Sequence, residues 1–152
     1  MSEKRESELV VRIPGDLDEI TRLPALIEDF AARSGIPPAV AATLNLVLEE
    51  LVANTVTYGY DDADDRRRDH SIEIRLSRRG DTITLQVEDD AKPFDPLQLD
   101  APDTDAALEE RDPGGLGIHF VRTLMDTVEY RRIGDRNRLT MTKTAHPEQS
   151  DP

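Results

Sequence analysis

The stretch from Ile72 to Glu88 constrains the fold most. Ile72, Ile74 and Leu76 alternate with Glu73, Arg75 and Ser77; Ile83, Leu85 and Val87 alternate with Thr82, Thr84, Gln86 and Glu88. Arg79-Gly80-Asp81 separates the two runs. Successive side chains of a strand point to opposite faces, so this pattern predicts a hairpin with one apolar and one polar face. Such a face must be covered by another layer. The cover is legible upstream. Val40, Leu44, Val47, Leu48, Leu51 and Val52 recur at the spacing of one helix stripe, behind Pro37 and Pro38, which suit a first helical turn.

A shorter helix precedes it, capped by Asp16 or Asp18 and carrying Leu17, Ile20, Leu23, Ile27 and Phe30. Pro24 inside that pattern predicts a kink or a late start, and Gly35 ends it. Leu9 to Ile13 reads as a strand stopped by Pro14-Gly15. The long helix closes near Tyr58-Gly59-Tyr60, before a charged loop from Asp61 to Asp69. After Glu88 the chain turns rich in Pro, Asp and Ala from Ala91 to Pro113, and a connection this long is usually functional or disordered. Leu116 to Met125 reads as a third helix. Val128 to Arg131 and Arg138 to Thr142 read as a second hairpin around Gly134-Asp135. The order β-α-α-β-β-loop-α-β-β predicts an α+β fold: a two-layer α/β sandwich with a mixed, mostly antiparallel sheet and three helices on one face. With 152 residues, one domain over residues 9–144 is expected, flanked by flexible tails at 1–8 and 145–152.

Thirty-two acidic against 19 basic residues leave a net charge of −13. That speaks against direct nucleic-acid binding, which needs a basic face, and against docking on anionic membrane. The absence of cysteine removes disulfides and thiol chemistry and fits a cytoplasmic protein. The first residues carry no apolar signal core, and the mostly apolar stretch Ala39 to Leu48 is shorter than a bilayer requires.

Three places could carry chemistry. Glu50 and Asn54 lie four apart on the long helix and share a face bordering the apolar stripe, whereas Glu49 points to water. An Asn carbonyl can serve Mg²⁺ as a lone protein ligand, with a nearby Glu as general base. An ordinary polar helix edge looks the same. Second, Glu88-Asp89-Asp90-Ala91-Lys92-Pro93-Phe94-Asp95-Pro96 follows a strand directly. A carboxylate there can accept from an exocyclic amine, or simply mark an acidic turn. Third, Gly114-Gly115-Leu116-Gly117 opens a helix, where bare backbone N–H groups make a phosphate site or a hinge. It is neither a P-loop nor a dinucleotide fingerprint. His70, His119 and His146 show no metal-ligand spacing.

Taken in order, the segments NLVLEELVANTVTYGY, VEDDAKPFDP and GGLGIHFVRTLMDTVEYRR resemble the GHKL ATPase superfamily. Within it, the chain looks like the small serine-kinase anti-sigma factors of the RsbW and SpoIIAB type, over about residues 9–144. The resemblance implies ATP and Mg²⁺ as cofactors, Glu50 as catalytic base, Asn54 as Mg²⁺ ligand and Asp89 as acceptor of the adenine amine. By the same motifs, Gly115 and Gly117 would meet the triphosphate, Ala91, Phe94, Gly114 and Leu116 would be further nucleotide-binding positions, and the loop from about Leu97 to Pro113 would be the ATP lid. It also implies partners: a STAS-domain anti-anti-sigma protein as phosphoacceptor, a sigma factor, and a second copy paired through the N-terminal strand. The acidic surface suits a basic partner. A histidine kinase is not expected, because no dimerisation helix pair with a phosphoacceptor His fits in the chain. The family's Asp-x-Gly appears as Asp89-Asp90-Ala91, and alanine lacks glycine's ready access to positive φ. That keeps open a second reading, a regulatory binding module, with or without nucleotide, that sequesters a partner without phosphorylating it.

Overall fold

The structure, a computed structural model, describes residues 6–14, 17–58, 70–93 and 121–145. Strand β1 (Glu6–Pro14) leads into a 3₁₀ segment (Leu17–Arg22), helix α1 (Leu23–Ser34) and helix α2 (Pro38–Tyr58). Strands β2 (Ser71–Arg79) and β3 (Thr82–Asp89) form the first hairpin, and β4 (Thr127–Ile133) and β5 (Arg136–Thr144) the second. Pro24 sits in the first turn of α1, so the predicted disturbance is a late start: the 3₁₀ segment carries the chain until Pro24 can occupy a position that needs no N–H donor. The helix stops at Gly35, whose N–H donates to the Ala31 carbonyl. Both hairpins turn through Gly-Asp. Gly80 and Gly134 have φ of 62° and 60°, while no described non-glycine residue has positive φ. A left-handed first turn residue alone is the pattern of a tight hairpin matched to strand twist.

All four ladders are antiparallel and the strand order is β1-β2-β3-β5-β4. The mixed sheet allowed by the sequence is therefore a wholly antiparallel one. Its reason is the crossover after β3: β5, not β4, takes the place beside β3, and β4 closes the far edge. Register puts Leu9, Leu76, Leu85, Met141 and Val128 in one inward row, and Val11, Ile74, Val87, Leu139 and Tyr130 in the next. These rows meet Ile27 and Phe30 of α1 and Leu44, Val47, Leu48 and Leu51 of α2 in a single core. A helical turn at 121–124 adds Val121, followed by Met125. The preceding part of the expected third helix lies outside the described residues.

Over Pro38–Thr57, α2 is long and apolar enough by composition to cross a membrane, longer than the stretch Ala39 to Leu48 suggests. Its stripe is nevertheless spent on the sheet, where Val40, Leu44, Val47, Leu48 and Val52 are buried. The outer face of the sheet is polar and ion-paired. Arg12 meets Glu73 and Arg75 meets Glu8, each at 3.1 Å, and Glu88 takes Arg136 at 3.1 Å and Arg138 at 2.6 Å. At one end of the inner face, buried Arg78 donates to the Ser34 carbonyl at 2.7 Å and the Gly80 carbonyl at 2.9 Å, joining the C-terminus of α1 to the first hairpin. A cation is favoured there by the helix dipole.

Candidate functional site

The opposite end of the inner face is polar for a reason built into strand parity. Ile83, Leu85 and Val87 point inward, so the next residue of that parity, Asp89, also points inward. Asp89 is 8% exposed. The inward row at this level runs Ile13, Ile72, Asp89, Asn137 and Arg132 across all five strands. Asp89 Oδ1 accepts from the Ala91 N–H at 3.0 Å and from Asn137 Nδ2 at 2.9 Å. Its Oδ2 accepts from the Thr55 hydroxyl at 3.3 Å, which pins the last turns of α2 over the end of β3. Burial pushes the Asp89 carboxyl above its ordinary value; the hydrogen bonds from Asn137, Ala91 and Thr55 pull it back only in part, and neighbouring Asp90 adds to the rise.

Asn137 is itself held on every side. Its Nδ2 donates also to the Lys92 carbonyl at 2.9 Å and, more weakly, to the Ala91 carbonyl at 3.4 Å. Its Oδ1 accepts from the Tyr130 hydroxyl at 2.6 Å and Arg132 Nη1 at 3.1 Å. Arg132 Nη1 reaches the Ala91 carbonyl as well, at 3.0 Å. Beside this cluster, His70 Nδ1 lies 3.1 Å from Asp90 Oδ2.

On α2, Glu49 is exposed while Glu50 and Asn54 are half-buried, the division the helix phase predicts. Asn54 immediately precedes Thr55, the residue that α2 fixes on Asp89, and Glu50 lies one turn earlier on the same helix edge. Ala91 is 5% exposed and does not have positive φ. The alanine thus fits this turn without the left-handed strain that its place in the motif suggested. Phe94, Gly114, Gly115, Leu116, Gly117 and the segment from Leu97 to Pro113 lie outside the described residues.

The residues present fit an adenine nucleotide on chemical grounds. A carboxylate offers about four acceptor positions. The three donors on Asp89 leave it capacity for an incoming amine. Asn54, a half-buried residue, carries in its side-chain carbonyl a hard oxygen donor of the kind Mg²⁺ takes, beside the waters and phosphate oxygens that the ion retains.

Four members of the cluster escaped the sequence reading: Thr55, Asn137, Tyr130 and Arg132. A signal for the first two was present. Thr55 sits on the apolar stripe of α2 four residues after Leu51, and Asn137 on the inward parity of Leu139 and Met141. A polar residue where the period calls for an apolar one needs a buried partner.

An antiparallel sheet backed by helices, with a long helix closing on a buried carboxylate at a strand end, is the ATPase fold of the GHKL class. The family described as histidine kinase-like ATPase domain matches residues 13–143. The chain belongs to that family. It is 26% identical over 122 residues to the serine/threonine-protein kinase BtrW of Bordetella bronchiseptica, an alignment covering 80% of this chain and 83% of BtrW. Its fold is similar to that of the RsbU and RsbW domains of a Mycobacterium tuberculosis protein, with a TM-score of 0.60 at 14% identity. That match covers 91% of this chain and 32% of the longer one.

Proposed function

We propose that the protein is a Mg-ATP-dependent serine/threonine protein kinase acting as an anti-sigma factor in a partner-switching system. The observation that carries the reading is Asp89: an acceptor-only group kept inside the core at a strand end, against the penalty of its burial, by donors from α2, the following turn and β5. The named activity of BtrW supports the kinase part.

In this reading Asp89 accepts the exocyclic amine of adenine and so selects the base. The side-chain oxygen of Asn54 holds Mg²⁺. Bound Mg-ATP supplies the γ-phosphoryl group, with the metal offsetting its charge. Glu50 takes the proton of a serine or threonine hydroxyl on the partner as that oxygen bonds to the γ-phosphorus and ADP leaves. On the family motif, Gly115 and Gly117 are assigned to the triphosphate, and Gly114, Leu116 and Phe94 to the nucleotide site around it. The phosphoacceptor is a STAS-domain anti-anti-sigma protein, and the second partner is a sigma factor, which the protein sequesters. Pairing of two copies through β1 is supported by its edge position and by Val10, 47% exposed on its outer side. A cytoplasmic location fits these partners.

Labelled ATP and a STAS-domain protein offered as phosphoacceptor test the proposal. Wild type transfers label to a serine or threonine; Glu50→Gln binds ATP but transfers none. Equal transfer by Glu50→Gln would remove Glu50 as the base, and absence of transfer by wild type would remove the kinase reading.

A further inference from the structure

Asn137 has no role in the motifs that point to a kinase, yet it is the most completely bonded side chain of the site. Its position follows from register: it stands directly across from Asp89 in the β3–β5 ladder and is 7% exposed. Both ends of its amide are committed. Tyr130 and Arg132, both on edge strand β4, donate to Oδ1, which fixes Nδ2 toward Asp89 and the Lys92 carbonyl. A flipped amide would put Nδ2 against the donor-only Arg132 guanidinium and Oδ1 against the Asp89 carboxylate and the Lys92 and Ala91 carbonyls, which fixes the orientation seen. Arg132 then spans from Asn137 to the Ala91 carbonyl and ties the turn to edge strand β4.

We propose that Asn137, oriented by Tyr130 and Arg132, is the positioning residue that aims Asp89 and the Asp89–Lys92 turn at an adenine base. The inference rests on the nucleotide reading given above and adds to it a residue of β5 and two of β4. Asn137 acts through Asp89. Its amide already spends both donors within the protein, on the carboxylate and on the turn carbonyls, so it presents Asp89 rather than replacing it. The donor to Oδ1 leaves the Oδ2 side of Asp89, where Thr55 sits 3.3 Å away, turned toward α2 and the Glu50–Asn54 edge. A base seated there would be read at the helix–sheet junction and not across the sheet.

The test uses full-length protein and two readouts. The first is hydrogen exchange of the Ala91 amide without nucleotide, since that N–H is bonded to the oxygen Asn137 holds. The second is calorimetric ATP affinity with Mg²⁺. Asn137→Ala is expected to speed Ala91 exchange and to weaken ATP binding about ten-fold or more, the loss typical of a buried hydrogen bond to a charged group. Tyr130→Phe removes one donor to Oδ1 and preserves packing, and it is expected to move both readouts the same way by less. It also carries the test if Asn137→Ala fails to fold. ATP affinity unchanged in either folded variant would overturn the proposal. So would weakened affinity with Ala91 exchange unmoved, because Asn137 would then contact ligand directly. If wild type binds no ATP while Ala91 exchange still responds, the nucleotide reading beneath the proposal is what has failed.

Discussion

Replacing Asp89 by asparagine separates what the site costs from what it does. The substitution keeps the shape. The carbonyl oxygen of the introduced amide can still accept from Ala91 and Asn137, which reach Oδ1 at 3.0 and 2.9 Å, and its nitrogen can donate to the Thr55 oxygen at 3.3 Å. No hydrogen bond need be orphaned, and a buried charge disappears. Because burial holds the folded-state carboxyl above its ordinary value of 3.8, the ionised form opposes folding at neutral pH. A raised carboxyl favours the fold fully below the unfolded value, and that advantage is lost as pH rises through the folded value. Asp89→Asn is therefore expected to be as stable as wild type or more so at pH 7, with the difference shrinking as pH falls toward 3.8. ATP binding moves the other way. Losing a charge-assisted hydrogen bond to the adenine amine costs about 1.5–3 kcal/mol, or roughly 10- to 150-fold in affinity. Thermal melts across pH and calorimetry with Mg-ATP read both. A variant that melts lower at pH 7, or that binds ATP like wild type, would refute the reasoning.

Further outcomes follow from the same geometry. Glu88 is pulled up by partial burial but held lower overall by Arg138 and Arg136. Its contribution is present above the ordinary value of 4.5 and is lost as pH falls through the depressed folded value, so Glu88→Gln should flatten the acid limb of a pH–stability curve. Leu44→Ala, at a fully buried position facing the sheet, should cost about 2–5 kcal/mol in denaturant unfolding without displacing the fold. Arg78→Ala leaves the buried Ser34 carbonyl without its donor, and a lower denaturant midpoint is expected, by about 1–3 kcal/mol. Val10→Lys on the β1 edge should shift sedimentation toward a single copy if two copies pair there.

The elements were legible because their periods are clean. The alternation from Ile72 to Glu88 and the stripe from Val40 to Val52 fix two strands and a helix that the structure extends by a few residues at most. Pro24 was legible as a disturbance but not as which one, since a kink and a late start share the same missing donor. The strand order was not legible, because nothing local in Val128 to Thr142 says whether β4 or β5 will lie beside β3. At the site, Glu50 and Asn54 could be named from helix phase and an acidic strand end from Glu88 onward, while Asp89 in particular came from the family motif. Their supports could not, because Thr55, Tyr130 and Asn137 matter through contacts 34, 7 and 48 residues away in the chain. Ala91 shows the converse. Its motif position suggested a need for glycine, and the backbone of this turn removes that need.

The most direct measurement is a Mg-ATP titration followed by two-dimensional amide spectra of isotope-labelled protein. If an adenine nucleotide is read by Asp89, the Ala91 backbone amide and the side-chain amides of Asn54 and Asn137 shift together and saturate at one affinity, while Asp89→Asn requires far more ATP for the same change. Shifts that leave these three groups untouched, or that persist unchanged in Asp89→Asn, would contradict the account.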